Sequence, residues 1–268
     1  MYRLCQIFCL LIMVPAGCMT QKPDHTIVIT GSSTLAPLIM EMGKRFETQT
    51  GVRVDVQTGG SSRGIADARS GMAHIGMSSR DLKKSEADLH PFPVARDGVA
   101  VILNNQNPVR ELSKDQVCAI YRGEIRNWRE VGGADAPITV VNKAEGRSTL
   151  EVFLHFFELK SEQIKPSLII GDNQQGIKTV EGDPHAIGYV SVGSAEYALQ
   201  QGSSLKPLPL EKVPATSENV KNGSFRLSRM LILVTREPPV GEVARFIRFV
   251  QSEQVRDLIE EFYFVPLH

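Results

Sequence analysis

The sequence predicts an α/β fold of two lobes, each a mostly parallel sheet flanked by helices, with two strands joining the lobes. Three observations lead there. Short β-branched runs alternate with amphipathic helical stripes, small-residue turns follow the runs, and an unbroken apolar strand in mid-chain is matched by a second near the end. The chain has 268 residues, 42% hydrophobic and 22% charged, with a formal net charge of zero. That composition excludes a disordered tail, a collagen-like chain and a basic nucleic-acid clamp.

Thr26-Ile27-Val28-Ile29-Thr30 reads as the first strand and Gly31-Ser32-Ser33-Thr34 as the turn after it. Leu35, Leu38, Ile39, Met42 and Phe46 then form one stripe of a helix that ends at Gly51. Val52, Val54 and Val56 alternate as a strand, the turn Thr58 to Gly64 follows, and a short helix from Ile65 to Ser70 leads into a strand from His74 to Met77. Ser78-Ser79-Arg80 is a third turn, and the run Asp81 to Asp88 reads as a solvated helix surface. The apolar strand Gly98 to Asn104 crosses into the second lobe, where a helix near Lys114 to Tyr121 precedes the strand Ile138 to Val141. Gly146-Arg147-Ser148-Thr149 and a helix from Leu150 to Leu159 repeat the strand, turn and helix plan. Arg229 to Thr235 is the return strand, and Val243 to Phe262 one closing amphipathic helix. Residues 26–100 with 230–268 are thus expected to form lobe 1, and residues 101–229 lobe 2.

Ligands of α/β folds collect at the carboxyl ends of the strands. A helix N-terminus offers N–H groups without intrahelical partners and a partial positive charge, so it holds a small oxyanion without much protein charge. Ser33-Thr34, Ser61-Ser62, Ser78-Ser79 and Ser148-Thr149 each place hydroxyl donors in such a turn. One turn of this kind is what any N-cap requires, and Ser148 with Glu151 fits a capping box. Four of them, spread over both lobes, point to a shared anion. A nearly neutral chain has no global field for a polyanion, so the anion site must be local.

Gly60-Ser61-Ser62-Arg63-Gly64 also matches the G-x-S-x-G elbow of hydrolases, which makes a serine hydrolase using Ser62 the competing reading. His185 after Asp172 or Asp183 has the required order, although Asp183-Pro184-His185 is a turn sequence. His74, His90, His155 and His268 have no metal-ligand spacing, and neither metal nor cofactor is expected. Cys118 lies in an apolar patch and reads as a buried, inert thiol. Trp128, Tyr121 and Tyr189 read as packing residues, and Phe153, Phe156 and Phe157 as one buried helix face.

The N-terminus carries Arg3, an apolar run from Leu4 to Val14, and Pro15-Ala16-Gly17-Cys18, the pattern of an export signal. Ala16 and Gly17 before Cys18 resemble the lipobox of bacterial lipoproteins, which implies lipidation of Cys18 and an anchor on the extracytoplasmic face of a membrane. Residues 19–25 would be the tether. Pro15 stands where the lipobox usually has a branched apolar residue, so a secreted protein and an uncleaved anchor stay open.

Five segments together resemble the phosphate-binding substrate-binding proteins of phosphate ABC transporters: Ile29 to Pro37, Gly60-Ser61-Ser62, Ile75 to Arg80, Ile120 to Trp128, and Ala186 to Val190. The resemblance implies a periplasmic-binding-protein fold that closes on inorganic phosphate and delivers it to a membrane permease, as a monomer and without nucleic acid. It implies contacts from the Thr34 and Leu35 amides and the Thr34 hydroxyl, with Ser33 shaping the turn. Ser62 would add a hydroxyl, and Ser79 with Arg80 the third turn. In the second lobe Lys143 stands in the usual arginine position, Arg147 replaces a serine, Ser148 replaces a glycine, and Thr149 completes the set. Lysine is a point charge where arginine forks onto two oxygens, so Arg147 is the expected bidentate donor.

High-affinity members of that family have an aspartate where this chain has Ser79. A hydroxyl can donate or accept, so weaker discrimination against fully ionised oxyanions is expected unless Glu145 or Asp81 supplies the acceptor. Another tetrahedral oxyanion, or phosphate sensing for a signalling partner, stays open as an alternative.

Overall fold

The computed structural model describes residues 26–267. The export signal, Cys18 and the tether lie outside the described residues. Lobe 1 begins β1 (Thr26–Gly31), α1 (Ala36–Thr50), β2 (Arg53–Thr58), α2 (Ser61–Ser70) and β3 (Ile75–Ser78). The long strand β4 (His90–Asn104) leads to α3 (Lys114–Arg122), β5 (Thr139–Lys143), α4 (Ser148–Phe157), β6 (Leu168–Ile170), α5 (Asn173–Gly182), β7 (Ala186–Ser191), α6 (Val192–Gln200), β8 (Leu205–Pro207) and α7 (Ser217–Lys221). The chain returns through β9 (Ser228–Thr235) and closes with α8 (Gly241–Val250), α9 (Arg256–Glu261) and β10 (Val265–Pro266).

One hydrogen-bonded sheet runs through the molecule in the order β2-β1-β3-β9-β4-β7-β5-β6. Its parallel ladders join β1 to β2 and β3, and β5 to β6 and β7. Every antiparallel ladder involves β4 or β9, the two crossing strands. The first part of β4 pairs with β9, and from Val99 onward it pairs with β7. A single strand therefore belongs to both lobes, and the seam lies at Gly98 and Val99.

Two cores flank that seam. In lobe 1, Leu38, Ile39 and Met42 of α1 and Phe246 and Val250 of α8 pack on Ile29, Ile75, Leu231 and Leu233. The alternate residues of β9, Ile232 and Val234, face the other way onto Ile65 and Ala68 of α2, as a strand covered by helices on both faces requires. In lobe 2, Tyr121, Phe153 and Tyr189 cluster, with the Phe153 and Tyr189 rings stacked at 4.0 Å. Trp128 is fully buried and its indole N–H donates to the His185 carbonyl at 2.9 Å. Cys118 is buried, its thiol pushed up by burial, and it donates to the Phe157 carbonyl.

Three local expectations change. The helix expected from Ile65 begins at Ser61, because Gly60 takes φ +94° and turns the chain into it at once. The run Asp81 to Asp88 is not a solvated helix: only Lys84–Glu86 forms a short 3₁₀ turn, and Glu86 is buried against Arg80. The closing helix breaks at Gln251 and Ser252, where a tight turn separates α8 from α9.

Candidate functional site

The carboxyl ends of β1, β2 and β3 in lobe 1 face those of β5 and β6 in lobe 2, and a small cavity lies between them. Ser32, Ser33, Thr34, Gly60, Ser61 and Ser79 line one side. Lys143, Arg147, Ser148, Thr149, Gly171 and Asn173 line the other. No carboxylate is among them.

The polar atoms of this cavity form one network. Ser32 Oγ accepts from the Thr34 amide at 3.2 Å and, at 3.5 Å, from the Leu35 amide, so its own hydrogen goes to Ser79 Oγ at 3.0 Å. Ser79 Oγ lies 2.5 Å from Ser148 Oγ, which lies 2.8 Å from Ser61 Oγ. The Ser79 amide donates back to Ser61 Oγ at 3.1 Å. Hydroxyls of opposite lobes thus meet directly. Leu35 does not line the cavity: its side chain is fully buried in the core and its amide faces Ser32 Oγ.

Lys143 ends β5 and is 3% exposed, with Nζ donating to the Asp172 carbonyl at 2.8 Å. Burial first, and then Arg229 and Arg147, push its ammonium down to about 7, while the Asp172 carboxylate pulls the other way. Tyr189 holds this strand end in place: its hydroxyl donates to Asn142 Oδ1 at 2.6 Å and accepts from the Lys143 amide at 3.3 Å. The Arg147 side chain runs past Gly60, where an added Cβ would lie 3.0 Å from its Cδ and 2.8 Å from the Gly146 carbonyl. Only glycine lets the lobes meet at that point.

Besides Leu35, two of the sequence-derived residues sit elsewhere. Ser62 turns away from the cavity, and its hydroxyl donates to Glu151 Oε1 at 3.3 Å; the hydroxyl that faces inward is that of Ser61. One residue along a helix is a rotation of about 100°, and the early start of α2 decides which serine points in. Arg80 is buried with its fork on Glu86, at 2.8 and 2.9 Å, so it does not line the cavity. Burial works against both charges of this pair. The partner carboxylates outweigh it for Arg80, whose ionisation is raised, as the Arg80 fork and the Lys83 amide do for Glu86, whose carboxyl is held below the usual range. Glu151 does not close a capping box with Ser148; it reaches across the cleft to Lys83 Nζ at 2.6 Å and lies 3.0 Å from Arg80 Nε.

Asn173 and Arg229 were not legible as site residues. Asn173 Nδ2 donates to Thr34 Oγ1 at 3.2 Å, and Arg229 reaches Thr149 Oγ1 at 2.9 Å. Of the proposed acceptors, Glu145 and Asp81 are exposed and outside the cavity. Among the described residues no hydrogen bond joins Ser62 to His185; the His185 amide is tied to Asp183 and its carbonyl to Trp128 and Thr139.

Residues 19–254 match the PBP superfamily domain. The chain belongs to the PBP superfamily. This superfamily member is 28% identical to the phosphate-binding protein PstS of Borreliella burgdorferi, over 95% of each chain. Among solved structures, it resembles a candidate phosphate ABC transporter substrate-binding protein from Clostridium perfringens with bound phosphate. That likeness has a TM-score of 0.84 and 33% identity, and covers 91% of this chain and 100% of that one. An ABC-type phosphate transport receptor from Vibrio cholerae gives a TM-score of 0.74 at 32% identity, over 89% and 99% of the two chains. The two-lobed fold expected from the sequence is that of these PBP superfamily relatives, and the chain is a substrate-binding protein, not an enzyme.

Proposed function

We propose that this protein captures inorganic phosphate between its two lobes, on the extracytoplasmic side of a membrane, and presents it to the permease of an ABC transporter. The observation that carries this reading is the meeting of hydroxyls and helix N-termini from both lobes in one cavity with Lys143 and Arg147 and without a carboxylate. Hydroxyls that bond to one another across the cleft can turn onto a tetrahedral anion, and amide ends add partial positive charge without a mobile counter-ion. The names and titles of its relatives point the same way.

In this reading Ser33, Thr34, Ser61, Ser79, Ser148 and Thr149 donate to the phosphate, the Leu35 amide supports the first turn, and Lys143 and Arg147 supply charge. Ser62 and Arg80 act through Glu151, which they hold against lobe 1. Of the described residues, 26–100 and 230–267 are assigned to lobe 1 and 101–229 to lobe 2, with β4 shared across the seam. The protein is a monomer, anchored by lipid on Cys18. Calorimetric titration after removal of prior ligand tests the function. One phosphate per chain is expected; no heat with phosphate, or tighter binding of sulfate alone, overturns it. Because no carboxylate lines the cavity, a second tetrahedral oxyanion such as sulfate is expected to bind measurably.

A further inference from the structure

Arg229 is the second residue of β9, beside the seam, and pairs across the ladder with Asp97 of β4. Both side chains are buried, 2% and 0% exposed. The guanidinium donates to Asp97 Oδ2 through Nε at 3.0 Å and Nη2 at 2.8 Å. Its remaining donors reach both lobes, Nη1 to Thr149 Oγ1 at 2.9 Å and Nη2 to Thr34 Oγ1 at 3.3 Å. The other oxygen of Asp97 accepts from Ser191 Oγ at 3.0 Å and the Gly193 amide at 3.2 Å, so the carboxylate is held on both sides. Arg229 itself does not line the cavity.

A hydroxyl oxygen has two lone pairs and one hydrogen. Thr34 Oγ1 accepts from Arg229 and from Asn173, so its hydrogen is left only to donate. Thr149 Oγ1 accepts from the other arm of the same cation, which occupies one of its lone pairs and turns its hydrogen away from that arm. A buried ion pair is seldom worth its desolvation for stability alone, and an apolar pair at this ladder position would serve the sheet as well. What an apolar pair cannot do is set the hydrogen-bond direction of two threonines from opposite lobes.

We propose that Arg229 is a positioning residue of the anion site: it donates simultaneously to Thr34 of lobe 1 and Thr149 of lobe 2, fixing both hydroxyls as donors to the bound anion when the lobes are closed. This rests on the phosphate reading above. Lysine cannot span two threonines while holding Asp97, so Arg229→Lys keeps the charge and loses the fork. Phosphate is titrated by calorimetry into the wild-type protein, Arg229→Lys, Thr149→Val and the double variant. Arg229→Lys is expected to bind about 10- to 100-fold more weakly, with an unliganded melting temperature near wild type, and its loss is expected to be smaller in the Thr149→Val background, where only the Thr34 arm remains to be lost, so that the two losses are less than additive. Additive losses, or binding by Arg229→Lys within about twofold of wild type, overturn the proposal. If Arg229→Lys does not fold, the uncharged pair Asp97→Asn with Arg229→Gln keeps a hydrogen-bonded seam, and the same two outcomes apply. Absence of phosphate binding by the wild-type protein would instead refute the phosphate reading.

Discussion

Ser79 and Ser148 bring their hydroxyl oxygens within 2.5 Å of each other from opposite lobes, across 69 residues of sequence. Each is also tied within its surroundings, Ser79 to Ser32 and Ser148 to Ser61, so the cleft closes on a chain of four hydroxyls. Such a chain has no fixed direction at its centre, since either Ser79 or Ser148 can be the donor. The centre of the site can therefore meet a protonated or an unprotonated oxygen.

Ser79→Asp is expected to change that. A carboxylate only accepts, so it favours an anion that carries a proton and repels one that carries none. The ratio of phosphate to sulfate affinity, measured by competition, is expected to rise by about tenfold or more. An unchanged ratio would show that the acceptor lies at another residue.

Lys143 gives the site a pH dependence. Its ammonium titrates near 7 in the folded protein and at 10.5 without burial, so between those values the unfolded chain holds the extra proton. Stability of the unliganded protein is therefore expected to rise with pH across that window, the penalty of the buried charge being fully present below it. Urea unfolding at a series of pH values checks this, and Lys143→Met is expected to flatten the rise. A bound dianion restores the charge on Lys143. Binding at about pH 9 is expected to take up a proton, seen as a dependence of the calorimetric heat on buffer ionisation, and Lys143→Met is expected to abolish the uptake.

Glu151 of α4 bridges to lobe 1 through Lys83 at 2.6 Å, Arg80 at 3.0 Å and Ser62 at 3.3 Å. Arg80 keeps Glu86 when Glu151 is neutralised, so lobe 1 stays intact. Glu151→Gln is expected to weaken phosphate binding about 3- to 10-fold through faster release, with the unliganded melting temperature little changed. Stopped-flow release rates test it; an effect confined to the association rate speaks against a closing contact.

Much of this was legible because the turns are local. The β-branched run before Gly31, the stripe from Leu35 to Phe46 and the serine pairs that follow the strands encode their own structure within about ten residues. The remainder depends on contacts far apart in sequence. Arg229 lies 195 residues from Thr34, and nothing beside Arg229 in sequence marks it as more than the polar start of an apolar strand. Arg80 looked available because the residue that occupies it, Glu86, sat in a run read as a solvated helix surface. The Ser61 and Ser62 assignment turned on four residues of helix start, which only the backbone of Gly60 decides. Glu151 had the spacing of a cap to Ser148, but the charges of Lys83 and Arg80 across the cleft are stronger partners than an amide.

Gly60→Ala tests the closed geometry without removing a side-chain polar group, although the added Cβ crowds the Gly146 carbonyl that accepts from the Ser62 amide. Its φ of +94° costs an alanine in either state, whereas the 2.8 Å approach of an added Cβ to the Gly146 carbonyl of the other lobe arises only when the cleft is closed. Phosphate affinity is expected to fall more than tenfold, while unliganded stability falls by about 1 kcal/mol. Equal affinity would mean that the cleft binds without closing at this point.

The central claim is that both lobes donate to one tetrahedral anion, and a crystal structure of the phosphate-loaded protein measures this most directly. The account predicts a single phosphate within hydrogen-bond distance of Thr34 and Ser79 from lobe 1 and of Ser148 and Thr149 from lobe 2. Phosphate held by one lobe alone, or bound outside this cavity, would contradict it.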